Sequence, residues 1–135
     1  MHRSHAPSSA DPKHVFAIGH SNGGGFIYTL WATRPDNFTG FASAEAAGAR
    51  QFSLQPKPIF VTICSQDQIV PPALQDRSFD IVFKVNQAGR PGSPFGSKGT
   101  VHKGTSRTVL RHYEGGHAFP RESVPSMVAF FKSLL

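Results

Sequence analysis

The stretch HVFAIGHSNGG, residues 14–24, decides which fold this chain is expected to have. Its first part, His14 to Gly19, is a short apolar run with β-branched and aromatic members, which is typical of a buried central strand. A glycine-rich turn follows, and apolar side chains at helical spacing then predict a helix over Phe26 to Thr33, which Arg34 and Pro35 end. A strand that turns tightly into a helix is the repeating unit of an α/β protein.

Strands and helices alternate along the rest of the chain. Thr39 to Ala44, Pro58 to Cys64 and Thr108 to Tyr113 have the compositions of strands, and the second is a continuous apolar run typical of a parallel sheet covered on both faces. Ser78 to Ala88 predicts a helix closed by Gly89. This order predicts an α/β domain with a mostly parallel sheet flanked by helices.

The C-terminal part of the chain adds a loop and a last helix. Gly89 to Thr105 is rich in Gly, Ser and Pro and predicts a flexible loop. Ser123 is the expected N-cap of an amphipathic helix whose apolar residues fall at helical spacing: Val124, Met127, Val128, Phe131 and Leu135. We therefore expect one domain over residues 13–135, preceded by a disordered or loosely attached lead-in over residues 1–12.

Length and composition exclude several classes of protein. The chain has 135 residues, 39% hydrophobic and 16% charged, so a packed core in one domain is expected rather than a disordered chain. No apolar run approaches the roughly 18 residues of a membrane span, and no signal peptide is visible at the start. A single cysteine, Cys64, excludes an intrachain disulfide framework and a multi-cysteine zinc site.

The net charge of +6 raises the question of nucleic-acid binding. The densest basic stretch, Arg90 to Arg111, contains a single phenylalanine, Phe95, among Gly, Ser and Pro. Neither an aromatic-interleaved RNA platform nor a helix with one basic face is present there. The sequence favours a solvated basic loop, and we expect neither nucleic acid nor membrane as a partner.

The turn Gly19-His20-Ser21-Asn22-Gly23 carries the chemistry of the chain. It fits G-x-S-x-G at a strand-to-helix junction, and fits neither a dinucleotide nor a phosphate-loop pattern. In this motif the serine lies on a strained turn with its hydroxyl above the sheet, and Gly19 and Gly23 let strand and helix close around it. Ser21 is the predicted nucleophile and the Asn22 N–H one oxyanion donor. The alternative is a glycine turn with an incidental serine.

A serine nucleophile needs a base, and the base needs an acid that fixes its tautomer. On this kind of sheet the order along the chain is serine, acid, histidine, and ligands gather at the carboxyl edge. Asp67 comes three residues after PIFVTIC, and His117 lies in EGGHAFP after TVLRHY. Ser21, Asp67 and His117 are therefore the predicted catalytic residues.

Other titratable residues fit these roles less well. Competing acids lie beside a helix, away from a suitable turn, or too near His117: Asp76, Asp80, Asp36, Asp11 and Glu114. His20 is expected to point away from Ser21, His112 to pack within a strand, and the remaining histidines to be surface or loop residues: His2, His5, His14 and His102. The chain lacks H-E-x-x-H, so no metal and no cofactor is predicted. Cys64 is expected to be a small core residue.

With these residues in place, the chain resembles the polyhydroxybutyrate depolymerase and feruloyl esterase-like branch of the α/β-hydrolases. DPKHVFAIGHSNGG resembles the nucleophile region of that branch, SQDQIVP its acid loop and EGGHAFP its histidine turn, so the resemblance runs from about Asp11 to Leu135. It implies hydrolysis of small-molecule or polymeric carboxylic esters through an acyl-enzyme, and a secreted bacterial protein. The alternative is a non-catalytic hydrolase-like fragment or a binding module.

That family has further N-terminal strands and a loop that donates part of the oxyanion hole, which residues 1–12 do not match. We therefore expect a partial α/β-hydrolase fold, either a fragment or a minimal variant, that lacks one donor worth about 3–4 kcal/mol in the transition state. HVFAIG would then have an open edge. The isolated chain is expected to form a homo-oligomer, swap domains or aggregate through that edge, with little esterase activity.

Overall fold

The computed structural model describes residues 14–135, which contain six strands and three α-helices. In chain order these are β1 Phe16–His20, α1 Asn22–Thr33, β2 Gly40–Ala44, β3 Ile59–Cys64, α2 Pro72–Val85, β4 Ser93–Phe95, β5 Gly99–His102, β6 Thr108–Tyr113 and α3 Val124–Ser133. Single turns of 3₁₀-helix lie at Pro35–Asn37, Ala49–Gln51 and Arg121–Ser123. The lead-in predicted for residues 1–12 lies outside the described residues.

The strands form one sheet in the order β1-β2-β3-β6-β5-β4. β1, β2, β3 and β6 are parallel to one another. Beyond β6, β5 pairs with β6 in the antiparallel sense, and β4 pairs with β5 in the same way. In this register His20 lies beside Ala44, and Ala44 beside Thr62. The turns that follow the parallel strands therefore meet at one edge, where ligands of α/β sheets gather.

Helices cover both faces of the sheet. α1 and α2 enclose one buried cluster with β2 and β3, in which Trp31 stacks on Phe41 with ring centroids 5.5 Å apart. α3 encloses a second cluster on the other face, which includes Phe60 and Phe130. Each such fully buried side chain contributes about 1.5–3 kcal/mol to stability. Two apolar layers around a mostly parallel sheet confirm the predicted fold class. Within the described part of the chain, no helix is long and apolar enough to cross a membrane.

The strands predicted from continuous apolar runs are confirmed, but two other predictions are wrong. α2 begins at Pro72 rather than Ser78, because its first turn exposes Leu74 and buries Gln75, which hides the apolar period. The stretch predicted as a flexible loop, residues 89–105, contains the β4–β5 hairpin. Pairing of β5 with β6 orders this segment, and β4 and β5 are too short, at three and four residues, to show the pattern of a strand.

The last helix forms where expected but buries a different face. Met127 and Phe131 are buried with Phe130, whereas Val124 and Val128 are exposed. Ser123 precedes the helix without making a side-chain cap, since its hydroxyl accepts a hydrogen bond from Arg111 Nη1 at 2.9 Å. Ser123 thus occupies the predicted N-cap position, but its side chain makes no capping hydrogen bond.

β1 was expected to be buried on both faces, and it is not. It is the end strand of the sheet and pairs only with β2 among the described residues. Ile18 on this strand is 48% exposed. An apolar strand with an unpaired edge is consistent with the expectation of an open edge, while the association of chains through it stays a prediction.

Candidate active site

Ser21 lies on a strained turn between β1 and α1. Its backbone has φ 59° and ψ −119°, in the left-handed half of conformational space, where a residue with a side chain costs about 1–3 kcal/mol. The Ser21 N–H donates to the carbonyl of Ala44 on β2 at 2.9 Å, and the N–H of Gly25 donates to the Ser21 carbonyl at 2.9 Å. These bonds hold the turn and lift the hydroxyl above the carboxyl edge of the sheet.

The glycines around Ser21 are not equivalent. A Cβ on Gly19 would lie 2.1 Å from the carbonyl oxygen of Gly23, so this position excludes any side chain. A Cβ on Gly23 itself meets nothing within 4 Å, which makes the steric role predicted for Gly23 wrong. Gly24 has that role instead, because a Cβ there would lie 2.7 Å from the Cβ of Ala46.

The structure brings the three predicted catalytic residues together, and Ser21, His117 and Asp67 are called the triad below. Ser21 Oγ lies 2.7 Å from His117 Nε2, and His117 Nδ1 lies 2.8 Å from Asp67 Oδ2. With the proton on Nδ1, His117 donates to Asp67 and accepts from the Ser21 hydroxyl. This is the arrangement in which a neutral imidazole can remove the proton of a serine. Asn22 is the first residue of α1, so its N–H has no acceptor within that helix and can face a developing oxyanion.

Asp67 is buried and held as a carboxylate by hydrogen bonds. Its Oδ1 accepts from the backbone N–H of Ile69 at 2.8 Å and of Val70 at 2.9 Å. Burial acts to raise the pKa of Asp67, but the hydrogen bonds from His117, Val70 and Ile69 outweigh it and hold that pKa below its usual value. Asp67 therefore stays ionised beside His117 at neutral pH.

Gln75 is a functional residue that the sequence analysis did not identify. This buried side chain on α2 donates through Nε2 to Asp67 Oδ2 at 3.0 Å and to the Val70 carbonyl at 2.8 Å. Its Oε1 accepts from the Cys64 N–H at 3.1 Å. Gln75 thus ties the end of β3 to the turn that carries Asp67. A polar residue in the first turn of a helix just after the acid was the available signal.

Glu45 is a second carboxylate beside the triad, and the sequence analysis missed it. It is the first residue after β2, has φ 54° and is 0% exposed. Its Oε1 lies 3.6 Å from His117 Nδ1, and its Oε2 lies 3.1 Å from His20 Nε2. A carboxylate directly after a parallel strand was the same kind of signal that identified Asp67.

His20 does not point away from the site as expected. Its ring centroid lies 5.3 Å from that of His117, and its ring meets Phe119 edge to face at 5.6 Å. Two other histidine predictions are also wrong, since His102 is buried on β5 and His112 is exposed on β6. Local sequence did not fix these orientations, which depend on the twist of strands and turns.

The interior around Glu45 disfavours negative charge. Burial raises the pKa of Glu45, against the lowering effects of His20, the weakly donating Cys64 thiol and His117, while Asp67 adds to the rise. Burial, followed by the charge of Glu45, raises the pKa of the Cys64 thiol as well. Cys64 is fully buried and stays a neutral thiol, in agreement with its predicted role as a core residue.

One set of residues in the described part of the chain could hold a metal ion. Glu45, Asp67 and His117 place ligand atoms within 4.8 Å of one another. Two of these atoms, His117 Nδ1 and Asp67 Oδ2, already share a hydrogen bond, and Asp67 accepts further bonds from Ile69, Val70 and Gln75. The donors favour a hydrogen-bonded carboxylate over a metal ligand. The absence of a metal or cofactor stays a prediction.

A cavity of about 340 Å³ opens next to His117. It is lined by Gln66, Gln68, Ile69, Gly116 and His117. Ile69 is 70% exposed and is the apolar side chain in this lining, beside the polar side chains of Gln66 and Gln68. A second cavity of similar volume, which Arg50 and Arg77 help to line, contains none of the triad residues. The cavity beside His117 is the one placed to receive a substrate.

The order of the strands and the helices on both faces of the sheet are those of part of the α/β-hydrolase fold. The chain superposes on the Bacillus cereus carboxylesterase with a TM-score of 0.68 at 16% identity, covering 93% of this chain and 52% of that one. The acetyl xylan esterase from Aspergillus awamori superposes with a TM-score of 0.67 at 13% identity, covering 93% of this chain and 61% of that one. Arabidopsis thaliana SOBER1 superposes with a TM-score of 0.67 at 16% identity, covering 93% of this chain and 55% of that one.

The chain thus spans little more than half the length of these solved structures. No protein-family model and no curated protein matches the sequence. The structural relatives named as esterases share the fold, and the polyhydroxybutyrate depolymerase and feruloyl esterase-like branch is not specifically among them.

Proposed function

We propose that this chain is the catalytic part of a serine hydrolase that cleaves carboxylic esters. The observation that carries the proposal is the continuous hydrogen-bonded chain from Ser21 Oγ through His117 to Asp67, mounted on a strained turn at the carboxyl edge of the sheet. An incidental serine on a glycine turn has no reason to face a histidine whose far nitrogen is held by a buried carboxylate. Esterases among the structural relatives add support from the fold.

The geometry supports an acyl-enzyme mechanism. Ser21 Oγ attacks the ester carbonyl carbon as its proton passes to His117 Nε2, and the Asn22 N–H donates to the oxyanion that forms. Asp67 stabilises the resulting imidazolium through Nδ1. Collapse breaks the bond to the alcohol oxygen, which takes the proton from His117 and leaves an ester on Ser21. Water then attacks this acyl group, gives a proton to His117, and the acid departs as Ser21 regains its proton.

We further propose substrates of the polyhydroxybutyrate depolymerase and feruloyl esterase-like kind, from small esters to polyesters. The motifs around Ser21, Asp67 and His117 support this branch, and the exposed side chain of Ile69 in the cavity beside His117 can contact an apolar acyl group or polymer surface. A panel of short p-nitrophenyl esters, methyl ferulate and poly-3-hydroxybutyrate film tests it. Hydrolysis of the short esters without hydrolysis of methyl ferulate or the film would contradict the proposed substrates and support a general esterase activity.

A fluorophosphonate probe tests the nucleophile directly, because it labels only a serine that a base activates. Ser21 is the expected site of labelling, and Ser21→Ala is expected to abolish it. Ser53→Ala removes an exposed serine elsewhere and should label like the wild type. Equal labelling of Ser21→Ala and wild type would contradict the assignment.

A second candidate is a non-catalytic hydrolase-like module. Its support is that the chain spans little more than half the length of these structural relatives, and that the Asn22 N–H is the one oxyanion donor identified among the described residues. This candidate predicts a folded chain that neither labels at Ser21 nor turns over any short p-nitrophenyl ester. Probe labelling at Ser21 would exclude it.

A further inference from the structure

Glu45 combines several features that proteins avoid unless a role maintains them. Its side chain is 0% exposed, and its backbone lies at φ 54°, where non-glycine residues are uncommon. Neither carboxyl oxygen has a hydrogen-bond partner of good geometry among the described residues. Asp67, also buried, contrasts with it by accepting bonds from two backbone N–H groups and two side chains. Strain and unsatisfied polar atoms in one residue are typical of functional sites.

The position of Glu45 connects these features to the triad. It follows β2, the strand between the Ser21 strand and the Asp67 strand. The groups that face it are His20 from the end of β1, His117 from the turn after β6, and Asp67 and Cys64 from the end of β3. Its Oε1 approaches His117 Nδ1, at 3.6 Å, on the side where Asp67 binds at 2.8 Å.

We propose that Glu45 is a second carboxylate for His117, a positioning residue that holds the imidazole with Asp67 and stabilises the imidazolium formed when Ser21 gives up its proton. The inference rests on the proposed esterase function and deepens it. The positive ring of His117 faces two acceptors through Nδ1, one hydrogen-bonded and one within ion-pair distance. His20, at 3.1 Å from the other Glu45 oxygen and partly exposed, supplies a compensating positive charge when it is protonated.

A purely structural role for Glu45 makes a different set of expectations. A carboxylate kept to fasten the end of β2 would bond the neighbouring backbone, as Asp67 does with Ile69 and Val70. Glutamine has almost the same shape and would then replace it without a change in catalysis. A role through the charge of Glu45 predicts instead that Glu45→Gln alters the rate and its pH dependence while the fold persists.

The test compares Glu45→Gln, Glu45→Asp and the control Glu114→Gln, which removes an exposed carboxylate three residues from His117. With a short p-nitrophenyl ester, Glu45→Gln should lower kcat by about tenfold with little change in KM, since the lost interaction forms in the transition state. In the pH–rate profile of Glu45→Gln, the acid limb should lie about one pH unit lower, because the positive ring of His117 has lost a neighbouring negative charge. Glu45→Asp should recover part of both effects, and Glu114→Gln should match the wild type.

A double-mutant cycle asks whether Glu45 supports His117 directly. Asp67→Ala should retain activity that depends on Glu45, so adding Glu45→Gln should cost at least another tenfold. Equal rates for Asp67→Ala with and without Glu45→Gln, or an unchanged kcat and pH profile in Glu45→Gln, would overturn the proposal.

A measurement without turnover separates this proposal from the proposed function. The titration midpoint of the His117 ring, followed by NMR, should fall by about one pH unit in Glu45→Gln and stay in place in Glu114→Gln. An inactive chain with this shift would contradict the esterase and leave the Glu45–His117 interaction standing. An active esterase without the shift would support the proposed function and contradict the Glu45–His117 interaction.

Discussion

Gln75 Nε2 lies 3.0 Å from Asp67 Oδ2, the same oxygen that accepts the hydrogen bond from His117. The first turn of α2 thereby orients the carboxylate that orients the imidazole. The turn is fastened in two further places, since Gln75 also bonds Val70 and Cys64. Replacement by a side chain of similar volume without these polar atoms tests how much the site depends on it.

Gln75→Leu should destabilise the fold and reduce activity together. The substitution leaves the Cys64 N–H and the Val70 carbonyl without their buried partner, at a cost of about 2–3 kcal/mol in the free energy of unfolding. Urea unfolding measures this cost, with Gln51→Ala, an exposed glutamine, as the control. A stability within 0.5 kcal/mol (roughly the scatter of surface substitutions) would contradict the role of Gln75.

Asp67 should stabilise the protein in a pH-dependent manner. Its pKa is lowered in the fold, so its contribution is present above its ordinary value of 3.8 and is lost as pH falls through the lower folded value. The gap in unfolding free energy between wild type and Asp67→Asn should therefore be widest at neutral pH and close in acid. Asp76→Asn removes an exposed carboxylate and serves as the charge-matched control. A gap that widened toward acid would contradict a lowered pKa of Asp67 in the fold.

Asp67→Asn should also lower kcat by about 10⁴-fold, because His117 loses the acceptor that keeps it in the correct tautomer.

Glu45→Gln should change stability in the opposite sense. The pKa of Glu45 is raised, so its ionisation is less favourable in the folded than in the unfolded chain, and its contribution to stability is lost as pH rises from the ordinary value through the folded one. The variant should thus be more stable than the wild type at neutral and alkaline pH, with the difference shrinking toward its ordinary value near 4.5. Thermal unfolding across a pH series measures it. A variant less stable than the wild type at pH 8 would show that the charge is not a burden on the fold.

The glycines of the serine turn should differ sharply in tolerance. Gly19→Ala forces backbone atoms apart around a Cβ 2.1 Å from Gly23, and should cost about 3 kcal/mol with loss of Ser21 labelling. Gly23→Ala enters open space within α1 and should be neutral or gain about 0.5–1 kcal/mol from helix propensity. Urea unfolding of the two variants compares them directly. Equal losses of unfolding free energy in the two variants would contradict the assignment of the Gly19 effect to the contact with the Gly23 carbonyl oxygen.

Among the described residues one edge of β1 has no strand partner, and we propose that the chain forms homo-oligomers through that edge. Ile18→Lys places a charge on this strand, which blocks edge-to-edge pairing. Light scattering should show a smaller species for this variant, and hydrogen exchange over residues 15–18 should become faster. Ile69→Lys, on the rim of the cavity, is the control for surface hydrophobicity. A monomeric wild type with slow exchange over residues 15–18 would contradict the proposal.

The fold was predictable where a single segment determines its own structure. β3 is a continuous apolar run with every residue buried, and the turn at Ser21 has its motif between a strand and a helix. The β4–β5 hairpin was not predictable, because its strands of three and four residues are too short for a local pattern and are ordered by pairing, β5 with β6 and β4 with β5. The same distinction explains the face of α3, where Phe130 rather than Val128 meets the sheet.

The sequence predicted the main residues of the candidate site, but it did not predict the residues that surround them. Asp67 and His117 follow strands in the expected order, and sequence order carries that information. Glu45 has the same placement after β2, but a serine–histidine pair requires only one acid, so no sequence pattern distinguishes a second one. The orientation of His20 toward Glu45 depends on how the end of β1 twists against β2, which no local pattern encodes.

The separation of the reacting residues along the chain has a consequence for how the protein acquires activity. Ser21 and His117 are 96 residues apart, in the turns that follow β1 and β6, and two other strands lie between β1 and β6 in the sheet. Helices and the strained turn can form locally, yet the serine gains its base only when β1, β2, β3 and β6 lie side by side. During refolding, probe reactivity should thus lag behind the circular dichroism signal, because it reports completed topology rather than secondary structure.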